Sequence, residues 1–420
     1  MIIMKIVTIV ISLLTLLIVS CTNSDKAKNK LAKNKLNEYS IVLQNKNLLI
    51  IDLDTLKKSI GKYSSFYSSV RYVPLETTKE SLIGKIEHIE LFNDTLLVFD
   101  SNSAKAIFEF DLSGKFIRKI GKVGRGPGEW AQPVSFSVDR GKSQLLILDG
   151  ALQKILKYSM SGKFLGQISL SYKEIRSHCV ECYNGQIFLD ARKVPQKNSN
   201  SGYLLREIDT DGRTINSWFD ALYYNKGWDQ GKNPWYFSGS GTLFSSPSGI
   251  KYADLFMDTI YSINANGIRP FIAIKTKNQF TAEKIKEMLV SNPNMNSFLN
   301  AARNENGIYA IRSYIENDDI IRFIFSQGRN DSEIIINKKD TIPVRLNHFM
   351  NDIIFRTEHD MYYPDFFCAE NKLIVGLVPN LKNFQECLKK EPTNLKYEEK
   401  MRLLSIQPTD NPVLIILHTK

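Results

Sequence analysis

The chain has 420 residues, with 55 Lys plus Arg against 44 Asp plus Glu for a formal charge of +11, and 43% of it is hydrophobic. That much apolar material excludes disorder as the main state, while 23 Gly, 14 Pro and five Cys exclude a collagen-like, low-complexity or disulfide-scaffold chain. Length alone would allow two or three domains, although single all-β rings exceed the usual domain size.

The first element is an apolar run from Ile6 to Val19, broken only by Thr8, Ser12 and Thr15, preceded by Lys5 and followed by Ser20 and Cys21. It has the dimensions of a signal-peptide core, and the Lys-rich stretch that follows at once is wrong for a retained spanning helix. The sequence Leu17, Ile18, Val19, Ser20, Cys21 resembles the lipobox of bacterial lipoproteins, which implies removal of residues 1–20 and lipidation of Cys21. Two acylated attachments at one cysteine would hold the chain stably on a membrane. Residues 21–65 are then expected to be a basic tether with room for one short strand, with Lys26, Lys28, Lys30, Lys33 and Lys35 against a lone Asp25 at its start. Such a stretch repels itself, extends, and sits well on anionic head groups. Surface-displayed lipoproteins resemble one another in an acidic stretch after the Cys, so Lys here favours a periplasm-facing orientation, where nucleic acid is not an expected partner.

From residue 66 onward one phrase repeats. Its clearest copies are Leu96 to Phe116 and Leu145 to Phe164; looser copies are Gln186 to Gly212, a segment ending at Asp258 to Gly267, Ile320 to Phe325 with the apolar strand after it, and Lys372 to Leu377. Each copy alternates apolar and polar residues and ends at Ser-Gly, Asp-Gly, Asn-Gly or a similar turn, the signature of antiparallel strands. Six units with regular spacing and without crossover helices predict an all-β, six-bladed β-propeller over 66–420, a pair of β-sandwiches being the alternative. Helical insertions are expected at Thr281 to Leu299, with Thr281 as cap and Ile285, Met288 and Leu289 as the apolar stripe, and at Leu381 to Leu404, interrupted by Pro392. Closing the ring requires an N-terminal strand, Val70 to Leu75, to pair with Pro412 to His418.

The strongest local motif is GKVGRGPGEWAQPVSFSVD, from Gly121 to Asp139. Gly124, Gly126, Pro127, Gly128, Glu129, Trp130 and Pro133 follow the order of the NHL repeat, and together with the phrase from Val70 to Thr78 they resemble the six-bladed propeller lipoproteins of Gram-negative bacteria. It is not a phosphate cradle, since a strand and not a helix follows; its glycines are expected to make a tight crossover between blades. Arg125 and Glu129 are expected to pair with each other or with a neighbouring blade, with Arg125 the candidate for an anion or carboxylate contact at the channel mouth.

Little else points to chemistry. His178, Cys179 and Cys182 give one C-x-x-C, half of a structural zinc set; Cys179 with Cys182 or Cys368 with Cys387 could be disulfides in an oxidising envelope, or all could be small buried strand residues. The His residues are scattered and no catalytic triad or HExxH is present, so no catalytic residue is assigned and enzyme activity is not expected. Propellers resembling lactonases hold calcium in the channel, and Asp100, Asp149 and Asp190 recur at one blade position as candidate ligands. A residue that every blade repeats more often satisfies turn amides, however, so neither metal nor other cofactor is assigned. One region breaks the repeat: Trp218 to Phe237 crowds aromatic residues among amides and charges, and Trp228, Trp235 and Tyr236 are the candidate contacts for a glycan, peptide or protein partner. The expected protein is a monomeric, lipid-anchored binding or scaffold module, the alternative being a calcium-dependent hydrolase or lactonase.

Overall fold

A computed structural model describes residues 48–420, apart from 171–174, 194–201, 225–241, 266, 293–294 and 357–364. Cys21, Trp228, Trp235 and Tyr236 therefore lie outside the described residues. Six sheets, each built on four antiparallel strands, follow one another along the chain, and the fourth and fifth each carry a further strand. Their innermost strands are His88–Phe92, Pro133–Asp139, Val180–Tyr183, Leu243–Ser246, Ile308–Glu316 and Asp365–Glu370. The six repeated phrases of the sequence fall on the middle strands of these six blades, for example Thr95–Asp100 with Ala106–Asp111. A two-stranded ribbon, Ile175–Arg176 with Arg192–Lys193, is attached at the third blade.

The ring closes through the N-terminal chain. Tyr67–Pro74 is the outermost strand of the sixth blade and pairs antiparallel with Val413–Thr419, from Pro74 opposite Val413 to Tyr67 opposite Thr419. The expected closure is thus present, and joining the two ends of the chain in one blade leaves no gap in the ring. The stretch expected to be tether contributes more than one short strand. Leu49–Asp52 adds to the fourth blade, parallel to Gly267–Lys275, and Lys58–Lys62 adds to the fifth, parallel to Pro343–Met350. The propeller accordingly starts near residue 48 and not 66, because these residues find backbone partners on otherwise bare sheet edges.

Among the described residues the core falls into seven apolar clusters, one of them under the helices at 282–304 and others between blades, such as Leu97, Phe99, Trp130, Phe136 and Tyr158 between the first and second. The expected helix at 281–299 is two helices, Ala282–Ser291 and Met295–Asn304; Thr281 caps the first by accepting from the Lys284 amide at 3.2 Å, and Ile285 and Met288 are buried. The second insertion is also a pair, Leu381–Lys390 and Tyr397–Ser405, with Pro392 between them. Both pairs leave the ring on the side where the innermost strands begin: one precedes Ile308, and the other follows Leu377, which lies opposite Asp365. We call this the upper rim. Among the described residues no helix is long and apolar enough to cross a membrane.

Candidate functional site: the central channel

The recurring aspartates are structural. Asp149, fully buried, accepts from the amides of Ala131 (2.8 Å), Ala151 and Leu152 (3.0 Å each) and Gln132 (3.4 Å). Asp100 does the same for Gly84, Lys85, Asn102 and Ser103, and Asp190 for His178 and Cys179. Burial alone would raise the Asp100 carboxyl, but the backbone amides hold it below its ordinary value. The Asp100 and Asp149 carboxylates tie the incoming crossover to the turn after the second strand, and that of Asp190 holds the incoming crossover, which is why the sequence repeats the residue.

The Gly-rich motif is also structural. Glu129 accepts from the Gly126 amide at 2.7 Å and pairs with Lys122 at 2.9 Å, so its partner is not Arg125. Trp130 is fully buried and donates its indole N–H to the Lys105 carbonyl at 2.8 Å. Gly121 and Gly128 both have φ near +75° (73° and 77°); a Cβ on Gly121 would overlap the Trp130 ring, and one on Gly128 would come within 2.7 Å of Phe164. Arg125 is exposed and is not among the residues lining the channel.

The cysteines Cys179, Cys182, Cys368 and Cys387 are all free thiols. Burial raises the thiol of Cys179 and pushes that of Cys182 up to about 12, which suits inert packing residues and not thiolate ligands or nucleophiles. Among the described residues no three His, Cys, Asp or Glu side chains converge as metal ligands. Trp218 packs against Phe188 at 6.1 Å between ring centroids, so part of the aromatic-rich region is core.

What the sequence reading missed is the wall of the channel, a cavity of about 960 Å³ bounded by the innermost strands. At its lower end Arg140, in the turn after the second blade's inner strand, reaches across to Glu370 of the sixth blade at 2.5 Å and to Glu90 of the first at 3.6 Å. It also donates to the Leu91 carbonyl at 2.9 Å. The other Glu90 oxygen lies 3.1 Å from Nε2 of His88. Glu181, on the third blade, accepts from the Ser137 hydroxyl at 2.8 Å. Burial, with the Glu90 charge adding to it, pushes the Glu181 carboxyl well above the ordinary carboxylate range. Glu370 is raised too, by burial, with Arg140 opposing.

This wall departs from the six-fold repeat. Glu90 faces Leu97, three residues before its blade's turn aspartate; the same register holds Ser137 and Cys182 in the next two blades, neither of which lines the cavity, and Glu181 sits one position earlier, opposite Phe188. The different residues that the blades carry at and beside this register are the sequence signal that could have pointed to the site: symmetric positions build the ring, whereas a channel site needs different groups from different blades. Other departures are plain structural stitches. Lys251 of the fourth blade and Glu316 of the fifth, both buried, pair at 3.0 Å, and Lys338 joins them at 2.7 Å from Glu316.

Fold and channel together define a six-bladed β-propeller with a polar, asymmetric central cavity. Residues 48–418 match DUF4934, a domain of unknown function, and the chain belongs to that family. Among solved structures it is similar to a protein of Bacteroides fragilis described as exported, with 16% identity and a TM-score of 0.65 over 89% of this chain and 99% of that one. It is also similar to a member of the duf4221 family from Bacteroides vulgatus, with 11% identity and a TM-score of 0.47 over 84% and 97% of the two chains. No protein of curated function matches it.

Proposed function

We propose that the protein is a lipid-anchored propeller of the cell envelope, attached through Cys21 and facing the periplasm, that works as a monomeric binding module for a glycan, peptide or protein partner. The observation that carries the binding reading is the 960 Å³ channel, whose wall gathers Glu90, Arg140, Glu181 and Glu370 from four different blades. The lipobox-like Leu17 to Cys21 and the likeness to an exported protein support the location. The order of Gly124 to Pro133 supports descent from an NHL-type repeat, and the aromatic residues Trp228, Trp235 and Tyr236 supply stacking groups in the segment between the third and fourth blades. Calcium-dependent hydrolysis is the weaker alternative, because the recurring aspartates are already occupied by backbone amides.

Two experiments test this. Replacing Cys21 with Ala should release the protein from membranes into the soluble fraction; continued membrane attachment would refute the anchor. A glycan and peptide array probed with the soluble ring should yield a ligand whose binding is lost in the Glu90→Gln/Glu370→Gln variant. A ligand that ignores this variant but is lost in Trp228→Ala would move the site to the aromatic segment.

A further inference from the structure

Among the described residues the channel wall carries nine carboxylates against three Lys or Arg, whereas the whole chain has an excess of Lys and Arg. Several of the nine are internally matched: Asp190 by backbone amides, Asp331 by Arg312 at 2.6 Å, and Glu333 by Arg322. Glu87, Glu90, Glu181, Asp318, Asp365 and Glu370 remain against Lys85 and Arg140, so the acidic excess survives this accounting. Arg140 shows what the wall accepts, since its guanidinium bridges Glu370 and Glu90 across the channel. An independent feature lies on the opposite side. Thr242 of the fourth blade, 3% exposed, lines the same cavity, and its Oγ1 has no hydrogen-bond partner among the described residues. A buried hydroxyl without a partner is costly unless something supplies one.

Resting on the binding reading above, we infer that the channel takes a cationic guest, a chain bearing ammonium or guanidinium groups that dock between Glu90, Glu181 and Glu370. Glu181 faces Glu90 from the first blade and Arg140 from the second, with the thiols of Cys179 and Cys182 on its own strand and Glu370 beyond Glu90. Burial and the Glu90 charge push its carboxyl well above the ordinary carboxylate range. A cation seated beside it favours the ionised form, so docking draws protons off the site to the buffer.

The test is calorimetric titration at neutral pH of hexalysine, its fully side-chain-acetylated form, and spermidine, in buffers of different ionisation enthalpy. Hexalysine or spermidine should bind with proton release while the acetylated peptide does not; spermidine alone identifies a small polyamine as guest, hexalysine alone a basic peptide. The Glu90→Gln/Glu370→Gln variant should weaken binding by about tenfold or more, and Arg140→Gln should tighten it several-fold, a gain that a misfolded protein would not show. Equal affinity for charged and acetylated peptides, or affinity unchanged in Arg140→Gln, overturns the inference. If an uncharged ligand from the array still depends on Glu90 and Glu370, the cation inference alone falls; if no ligand depends on them, the channel reading falls with it.

Discussion

Replacing Asp149 with Ala tests how the ring is held together. The side chain is fully buried and its two oxygens receive four backbone amides, two from the crossover into the blade (Ala131, Gln132) and two from the turn after the second strand (Ala151, Leu152). At a net value of about 1 kcal/mol per hydrogen bond, loss of all four costs ~4 kcal/mol, and water entering the vacated space reduces this to ~3 kcal/mol. For a ring of this length the unfolding entropy is about 0.8 kcal/mol per degree, so the melting temperature should fall by about 4 °C. Asp149→Asn keeps an acceptor but not the charge and should lose about half as much. Differential scanning calorimetry with and without a calcium chelator is the assay. The reasoning fails if Asp149→Ala melts like wild type, or if the chelator lowers the wild-type melting temperature by the same amount, since a metal would then be the group that Asp149 serves.

Further perturbations follow from the same geometry. Glu316→Gln should destabilise by about 3–5 kcal/mol, because it leaves Lys251 buried without its anion, and the double variant with Lys251→Met should recover most of that loss in denaturant titrations. Burial opposes ionisation of Glu316, but Lys251 and Lys338 win and depress its pKa to about 2, below the unfolded value near 4.3. The resulting ~3 kcal/mol of stability is present above about pH 5 and lost as pH falls towards 2, so Glu316→Gln should flatten acid unfolding in that window. Gly121→Ala forces a Cβ into the Trp130 ring at a positive φ and should lower the melting temperature while quenching or shifting Trp130 fluorescence. Removing residues 48–62 bares the edges of the fourth and fifth blades and should promote concentration-dependent association seen by light scattering. Thr281→Ala should cost about 1 kcal/mol through loss of its cap to Lys284.

The fold was legible because the ring repeats itself. The middle strands carry apolar alternation and a turn aspartate in phrases about fifty residues apart, and the closing pair, Val70 to Leu75 with Pro412 to His418, is apolar enough to read as strand. The strands Leu49–Asp52 and Lys58–Lys62 were harder to read. They are short and follow a Lys-rich stretch, and each joins the ring at an edge more than two hundred residues away, the first with Ile51 buried there as well. The helical insertions lie where the pattern puts them, the second with its expected break at Pro392, but the first divides too, on either side of residues 292–294, Asn-Pro-Asn, within what reads as one continuous apolar stripe. The channel wall was not legible because its members are single residues on separate inner strands: Glu90, Glu181 and Glu370 have no fixed spacing, and only closure of the ring brings them around Arg140. Arg125, singled out from a conspicuous motif, is instead solvent-exposed beside a turn that Glu129 and Lys122 already close.

The most direct test of the central claim is oxidative footprinting of the ring with and without the ligand found on the array. If the channel is the binding site, Phe244 and Phe367, half-buried in its wall, should be protected by ligand, while Ile60 and Ile342, exposed on the outer edge of the fifth blade, should react as before. Protection confined to the outer edge, with Phe244 and Phe367 unchanged, would contradict it.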